Sequence, residues 1–233
     1  MTGPSISLIL PVRNQADHIE RIVEEYEEEL GRIGRAYEVL LVVNASRDGS
    51  DEICRKLAAG HASRKVLACA SGGWGLAVRT GLSASAGSLL CYTNSARTHP
   101  KDLSLMLLYG LAYPDTVIKA NRKIRESALR RLGSLIYNLE CRALFDLPYW
   151  DINGTPKVFP RKFQGLLSLT QDGDLIDLEF HAVCRREGYP MLEVPILSVR
   201  RHGGRSTTNL ASAARLYVGA FRLARAMRDR PPA

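Results

Sequence analysis

The sequence lacks the features that mark several specialised classes of protein. Its 233 residues contain no stretch of eighteen or more apolar residues, so none of it is predicted to span a membrane. Residues 1–12 have neither the basic region nor the cleavage site of a signal peptide, which predicts a cytoplasmic location. The few cysteines form no C-x-x-C pair, and we expect buried thiols rather than a disulfide framework or a zinc site. They are Cys54, Cys69, Cys91, Cys141 and Cys184.

Acidic residues are scarce in the second half of the chain. Residues 1–118 hold 12 Lys and Arg against 13 Asp and Glu, whereas residues 119–233 hold 20 against 11. This asymmetry predicts an anionic partner for the second half, such as a phosphate-bearing substrate or a membrane surface. We expect no nucleic acid as a partner, because no DNA- or RNA-binding motif accompanies the basic residues.

Strand and helix patterns alternate through the first half. Predicted strands lie at 6–10, 37–43, 65–70 and 89–93, and the first helix begins at Ile19 and ends at Gly31 and Gly34. Such alternation is typical of a mostly parallel, doubly wound α/β sheet with helices on both faces. The second half is predicted to add helices at 127–145, 177–186 and 207–228 and a strand at 191–199. No linker interrupts the chain, so we expect one domain over residues 1–233.

Ligands of such sheets bind beyond the carboxyl ends of the strands. Four predicted loops occupy those ends, at residues 11–15, 44–50, 71–75 and 94–99. Gly73 and Gly75 would let backbone N–H groups approach a phosphate or a base, because glycine has no Cβ. A tight strand-to-helix turn explains the same glycines, and both interpretations stay open.

Motifs in these loops and beyond them follow one another in order. They are LPVRNQ at 10–15, VNASRDGS at 43–50, GWGLAVRTG at 73–81 with AG at 86–87, DING at 151–154 with KVF at 157–159, IDLE at 176–179, GY at 188–189, EVP at 193–195, and R-x-x-G-x-S at 201–206. This series, over about residues 5–210, resembles the family 2 glycosyltransferases of the GT-A fold. It is most similar to the branch that includes dolichol-phosphate mannose synthase and bacterial polyprenyl-phosphate glycosyltransferases.

The resemblance implies a nucleotide-sugar-binding half at about 1–120 and an acceptor half at about 121–233. The implied donor-binding residues are Pro11, Arg13, Asn14, Gln15, Asn44, Ser46, Asp48, Gly73, Gly75, Arg79, Asn94, Ser95, Ala96, Arg97 and His99. The implied acceptor-binding residues are Arg122, Arg131, Asp151, Asn153, Arg201 and Ser206. The two acceptor arginines at 122 and 131 match arginines that meet an acceptor phosphate, and a solvated basic helix face is their alternative explanation.

The implied catalytic residues are two carboxylates at a predicted helix start. Asp177 or Glu179 would deprotonate a hydroxyl acceptor, whereas a phosphate acceptor is already ionised and needs no base. Their side chains are expected to diverge, because they lie only two residues apart, and so they are not expected to form an acid–base pair.

The chain departs from the family where carboxylates are expected. The metal-binding Asp-x-Asp falls on Asn94-Ser95-Ala96, and the acidic pair of the nucleotide-base loop falls on Val43-Asn44. The acid after the first strand is Gln15, and the acid after Ala-x-Gly is Ser88. We therefore expect no metal held by the protein's own carboxylates, and only a weak Mg²⁺ or Mn²⁺ site through the donor diphosphate.

A site without that metal needs another source of positive charge, because a diphosphate leaving group develops negative charge as the bond breaks. Arg13, Arg97 and His99 lie in suitable loops, although solvated loop residues are the alternative for each. Three functions remain open: a metal-independent or weakly metal-dependent glycosyltransferase, a non-catalytic relative that binds a ligand or regulates a partner, and a fold repurposed for other nucleotide chemistry.

The predicted helix at 207–228 carries arginines on both sides of an apolar face. Docking of this face on the protein's own core, or on a second copy in a homodimer, is the favoured interpretation. The alternative is an interfacial helix in peripheral contact with an anionic membrane.

Overall fold

The computed structural model describes residue 3 and residues 5–122, 128–197 and 210–228, with the side chains of 128–132, 210–214 and 228 outside that description. Runs of leucine, isoleucine and valine form the first two strands, where every side chain except that of Tyr37 is buried on one face or the other. The strands are β1 (Ile6–Val12), β2 (Tyr37–Asn44), β3 (Arg64–Cys69), β4 (Leu89–Tyr92), β5 (Val117–Arg122), β6 (Lys157–Pro160) and β7 (Met191–Ile196).

The helices connect these strands. They are α1 (Ile19–Ile33), α2 (Ser50–Ala58), α3 (Trp74–Ala84), α4 (Pro100–Ala112), α5 (Ala128–Phe145), α6 (Ile176–Arg186) and α7 (Leu210–Arg228), with a short 3₁₀ helix at Gln164–Leu167. The prediction that both Gly31 and Gly34 end the first helix was half wrong. The helix runs through Gly31 and ends at Gly34, which adopts the left-handed conformation (φ 70°) of a helix C-terminus.

One sheet contains all seven described strands in the order β3-β2-β1-β4-β6-β5-β7. Strands β1 to β4 pair in parallel, as does β5 with β7, whereas β6 lies antiparallel between β4 and β5. Helices α1, α2 and α4 pack on one face, and α3 and α6 pack on the other. The predicted mostly parallel α/β sheet with helices on both faces is thereby confirmed.

Helices α5 and α7 pack together beside α6. Their shared apolar cluster includes Tyr137, Cys141, Ala220 and Leu223, and it also holds Ile152 from the turn before β6. None of the helices within the described ranges is both long and apolar enough to cross a membrane.

Candidate functional site

The carboxyl ends of β1, β2, β3, β4, β5 and β7 all lie at one edge of the sheet. Because β6 runs in the opposite direction, its first residue, Lys157, and the turn at 151–156 lie at the same edge. This carboxyl edge therefore brings together the loops at 13–18, 44–50, 70–74 and 93–99 with the end of β5 and the turn before β6.

Backbone and side-chain hydrogen bonds fix the loops after β1 and β2 against each other. Asn14 donates its N–H to Ser46 Oγ at 3.2 Å and accepts the Arg47 N–H on Oδ1 at 2.8 Å. Asp48 accepts the Ala16 N–H on Oδ2 at 2.9 Å. These predicted donor-site residues thus meet in space, and several of their polar atoms are already paired within the protein.

Asp48 is an ionised carboxylate of the β2 loop. Its partial burial opposes ionisation, but hydrogen bonds from Ser50 and the Ala16 N–H outweigh burial and lower its pKa. Its negative charge is therefore maintained by hydrogen bonds to neighbouring loop groups.

The residues at the Asp-x-Asp position do not fit a divalent cation. Asn94 Oδ1 accepts the Ala96 N–H at 3.1 Å, and Ala96 is buried with a methyl side chain. The buried Ser95 hydroxyl bonds Gln15 Oε1 at 2.5 Å. Neutral oxygens engaged inside the protein replace the carboxylates that Mg²⁺ and Mn²⁺ prefer. In the described part of the chain, no three His, Cys, Asp or Glu side chains are grouped to hold a metal ion.

The glycines of the loop at 71–75 are required by packing within the protein. A Cβ on Gly75 would lie 2.1 Å from the carbonyl oxygen of Gln171, and a Cβ on Gly73 would lie 2.4 Å from that of Asp172. The Gly73 N–H donates to Asn44 Oδ1 at 2.8 Å, and the Leu76 N–H donates to the Asp172 carbonyl at 2.9 Å. These contacts favour a close strand-to-helix turn over a phosphate-binding loop, because the N–H groups of Gly73 and Leu76 already have acceptors within the protein.

The segment at 170–173 is held over the start of α3 by two further side chains. Arg79 donates to the Thr170 carbonyl at 3.2 Å and pairs with Asp172. Glu179 is buried and accepts from Thr170 N, Thr170 Oγ1 and Gln171 N at 2.7–2.9 Å. The structure therefore places Arg79 and Glu179 in contacts that shape this segment.

Asp177 connects three elements at the centre of the carboxyl edge. It accepts from Trp74 Nε1 at 3.1 Å and from Tyr92 OH at 2.9 Å, and it pairs with Lys157. Asp177 is 3% exposed, so these partners surround its carboxylate. The carboxylates of Asp177 and Glu179 contact different segments, as expected for residues two apart at a helix start.

Two fully buried lysines face each other across β5 and β6. Lys119 and Lys157 are Cα partners in the antiparallel ladder, and each has its own carboxylate. Lys119 pairs with Glu193 at 2.6 Å, and burial lowers its pKa to about 8 although Glu193 opposes the shift. Burial likewise lowers the pKa of Lys157, against the opposing effect of Asp177.

Glu193 also accepts the Trp150 N–H at 3.1 Å. This glutamate therefore joins the buried Lys119 ammonium to the backbone that precedes the turn before β6.

Arg122 and Asp151 form a two-pronged ion pair at the end of β5. Arg122 Nε and Nη2 donate to the two carboxylate oxygens at 2.8 and 2.7 Å, and the Arg122 N–H adds a third bond at 3.0 Å. Asn153 lies in the same turn, and its buried Oδ1 has no hydrogen-bond partner among the described residues. Arg201 and Ser206 lie outside the described residues, as does the side chain of Arg131.

Three predicted cations lie in the β1 and β4 loops. The Arg13 guanidinium lies over Gly72, 3.5 Å from the point that a Cβ would occupy. His99 caps α4 and accepts the Lys101 N–H on Nδ1 at 3.3 Å. Arg97 is half-buried in the same turn as Asn94.

One aligned position does not belong to this site. Ser88 directly precedes β4, and its hydroxyl donates to the Ser5 carbonyl at 3.1 Å, just before β1. Residues before parallel strands lie at the amino edge of the sheet. Strand direction therefore places Ser88 at the edge opposite the donor-site positions.

Several residues that organise the site had not been identified as site residues. They are Trp74, Tyr92, Lys119, Lys157 and Thr170. Both lysines carried a signal in the sequence, since Lys119 follows Val117 and Ile118 in β5 and Lys157 begins the apolar β6, and a lysine buried beside apolar residues needs a partner. The partners of Thr170 and Trp74 lie nine and 103 positions away along the chain, where no local pattern indicates them.

The chain is similar over part of its length to known glycosyltransferases. It is 32% identical over 92 residues to glycosyltransferase AglE of Haloferax volcanii, covering 39% of this chain and 30% of that protein. It is 28% identical over 137 residues to undecaprenyl-phosphate 4-deoxy-4-formamido-L-arabinose transferase of Pseudomonas aeruginosa, covering 58% of this chain and 40% of that protein. The chain thus aligns with well under half the length of these curated relatives.

Its fold matches that of a solved glycosyltransferase. Glucosyl-3-phosphoglycerate synthase from Mycobacterium tuberculosis, in complex with Mn²⁺, UDP and glucosyl-3-phosphoglycerate, superposes with a TM-score of 0.71 at 18% identity, over 95% of this chain and 80% of that one. Its complex with phosphoglyceric acid gives 0.73 at 19% identity, with the same coverage. At this identity the likeness establishes the GT-A fold.

The family assignment rests on a longer match. The model of glycosyl transferase family 2 matches residues 7–163, which include β1 from its second residue, β2 through β6 and the loops between them at the carboxyl edge. With the fold and the loop order in agreement, this chain belongs to glycosyl transferase family 2.

Proposed function

We propose that the chain transfers a sugar from a nucleotide-sugar donor to an acceptor at the carboxyl edge of the sheet. The observation that carries the proposal is the meeting of two groups of residues at one edge. The family 2 loops after β1, β2 and β4 form the donor side, and the Arg122–Asp151 pair forms the acceptor side. The relatives named for undecaprenyl phosphate and for a phosphoglycerate product support a phosphate-bearing acceptor.

On the donor side, two arginine cations and a histidine N–H donor would offset the charge of the leaving diphosphate. Arg13 lies over the glycine loop, while Arg97 and His99 lie in the turn that replaces the Asp-x-Asp motif. Guanidinium groups suit phosphate because they offer two parallel N–H donors. Because Asn94, Ser95 and Ala96 supply no carboxylate, a divalent ion would be held mainly by the oxygens of the diphosphate itself.

On the acceptor side, Arg122 would bind the acceptor phosphate and Asp151 would orient its guanidinium. The two hydrogen bonds from the guanidinium to the two carboxylate oxygens fix its plane. A phosphate acceptor is already ionised, so no general base is required. We assign Asp177 and Glu179 positioning roles, because their carboxylates accept hydrogen bonds that set the Trp74 indole and the segment at 170–171.

A nucleotide-binding experiment tests the donor side. We expect one nucleoside diphosphate or nucleotide sugar in a titration-calorimetry panel to bind, and Arg13→Ala to weaken it by about 1.5–3 kcal/mol, the range for hydrogen bonds to charged groups. Arg32→Ala is the matched control, since Arg32 is an exposed arginine at the far end of α1 that pairs with Glu28. Equal affinity in wild type and Arg13→Ala would remove Arg13 from the donor site.

A kinetic experiment tests the acceptor side. With a polyprenyl-phosphate acceptor, Arg122→Ala should raise the acceptor KM by about tenfold or more, and Arg122→Lys should restore only part of the loss because lysine cannot form the fork. Asp151→Asn should raise the same KM with a smaller change in kcat. An unchanged KM in Arg122→Ala, with folding intact, would refute the acceptor role.

A second candidate is a non-catalytic member of the family that binds a nucleotide. The lack of carboxylates at Asn94 and Ala96 favours it, since these positions would hold the metal in the family. Nucleotide binding without turnover for every sugar and acceptor supplied would establish this alternative over the transferase.

A further inference from the structure

The outer sides of α5 and α7 expose an unusual amount of apolar side chain. Five large hydrophobic residues there are 46–59% exposed, as single surface residues often are, but here they are concentrated on two adjacent helices. They are Leu135, Ile136, Leu139, Val218 and Phe221. We call this set the α5–α7 face.

Direct contacts join the two helices that carry this face. Tyr217 of α7 donates its hydroxyl to the Gly133 carbonyl of α5 at 2.8 Å, and its ring packs edge-to-face on Tyr137 at 5.7 Å. Ala220 and Leu223 bury the inner side of α7 in the cluster shared with α5. The apolar residues of the face are therefore not those that join the helices to each other or to the core.

The charge of the two helices is predominantly positive. The two helices contain seven arginines and one acidic residue, Glu140. Arg222 and Arg225 are exposed beside Phe221. Arg142 stacks over the Trp150 ring at 4.1 Å, and Trp150 is itself 40% exposed at the margin of α5. Apolar side chains bordered by arginine and tryptophan suit the boundary between lipid headgroups and acyl chains.

We propose that the α5–α7 face docks on an anionic lipid bilayer. A second copy of the chain fits less well, because a two-fold contact would bring the exposed Arg222 and Arg225 near the same arginines of the other copy. Phosphate headgroups would instead neutralise the arginines while Leu135, Ile136, Leu139, Val218 and Phe221 enter the interface.

The inner side of α5, opposite the exposed apolar residues, contacts the acceptor side of the site. Asn138 of α5 accepts the Ile152 N–H at 2.9 Å, next to Asp151. If the proposed function holds, a docked protein would present the Arg122–Asp151 pair near the headgroup layer, where the phosphate of a lipid-borne acceptor lies. This link rests on the proposed function, whereas docking itself does not.

Vesicle co-sedimentation without any donor or acceptor tests the docking alone. We expect the full chain to bind vesicles of phosphatidylcholine and phosphatidylglycerol in equal parts, to bind pure phosphatidylcholine far less, and to be released by high salt. The variant Val218→Asn with Phe221→Asn should reduce partitioning by tenfold or more, given the apolar area it removes. Arg222→Gln with Arg225→Gln should reduce it by at least about fivefold.

The matched control is Leu108→Asn, which removes an equally exposed leucine (49%) from α4, away from the face. It should bind like wild type. Equal binding by wild type and the Val218/Phe221 variant would overturn the proposal, as would a concentration-dependent dimer that the same variant abolishes. If the wild type binds vesicles but shows no transferase activity, the result would count against the proposed function and not against the docking.

Discussion

At the scale of single residues, the site depends on buried ion pairs. Lys157 and Asp177 are both essentially inaccessible to solvent, and removal of one partner leaves the other charged and uncompensated. We expect Lys157→Met to reduce the free energy of unfolding by about 3–5 kcal/mol. The double variant Lys157→Met with Asp177→Asn should cost about 1–3 kcal/mol less than the sum of the single variants. Urea denaturation of all four proteins measures this coupling, and strictly additive costs would contradict it.

The neighbouring lysine gives a prediction about pH. The pKa of Lys119 is lowered from 10.5 to about 8 in the folded protein, so folding releases a proton between these values. The stabilisation is therefore complete above about 10.5 and is lost as the pH falls through about 8. Relative to Lys119→Met, the free energy of unfolding of the wild type should increase by on the order of 3 kcal/mol as the pH rises across this window. Buried tyrosines and cysteines also titrate at alkaline pH, but they do so in both proteins, so the comparison with the variant removes their contribution. A difference in the free energy of unfolding that stays constant from pH 8 to 10.5 would show that the pKa of Lys119 is not shifted.

At the scale of elements, the fit of α3 against the segment at 170–173 determines the shape of the glycine loop. A Cβ on Gly75 would meet the Gln171 carbonyl oxygen at 2.1 Å, and backbone cannot yield as a flexible side chain does. We expect Gly75→Ala to destabilise the protein by about 1–3 kcal/mol. The control Gly31→Ala has open space around its Cβ inside α1 and should stabilise by about 0.4–1 kcal/mol. Thermal unfolding compares the two, and equal effects would refute the packing argument.

These elements also separate what the sequence could predict from what it could not. The strands at 37–43 and 89–93 and the helices at 127–145 and 177–186 were located within a few residues, because apolar periodicity is a local property. The antiparallel insertion of β6 was not predicted, since the order and direction of strands depend on contacts between distant segments. For the same reason, the partner of Gly75 could not be identified from the loop around it.

The position of the candidate site could likewise be predicted from the sequence, whereas its internal contacts could not. The loops that contain Asn14, Asn44 and Asn94 were predicted to lie together, because parallel strands place their carboxyl ends at one edge. The sequence could not reveal that Ser95 bonds Gln15 or that Asp177 is enclosed by Trp74, since these pairings require the folded chain. Residue type alone therefore identified the position of the site but not which of its polar atoms are already engaged.

At the scale of the whole molecule, the distribution of charge would determine how the proposed anionic donor is held. Among the described residues, the loop that corresponds to the metal motif contributes Arg97 and His99 but no carboxylate. We expect donor affinity, and any turnover, to survive EDTA in the wild type. Asn94→Asp with Ala96→Asp should create a response to Mn²⁺, with donor affinity raised about tenfold or more by the ion, because two carboxylates would then share it with the diphosphate.

Ala96 is buried, so the single variant Asn94→Asp accompanies the double variant to separate metal binding from misfolding. It should respond to Mn²⁺ more weakly than the double variant, and both should be compared with wild type by titration calorimetry after their thermal unfolding has been checked. The wild type itself provides the decisive test of metal dependence. Donor binding or turnover that is abolished by EDTA and restored by Mn²⁺ would mean that other groups hold the ion. The neutral residues at 94–96 would then have no bearing on metal dependence.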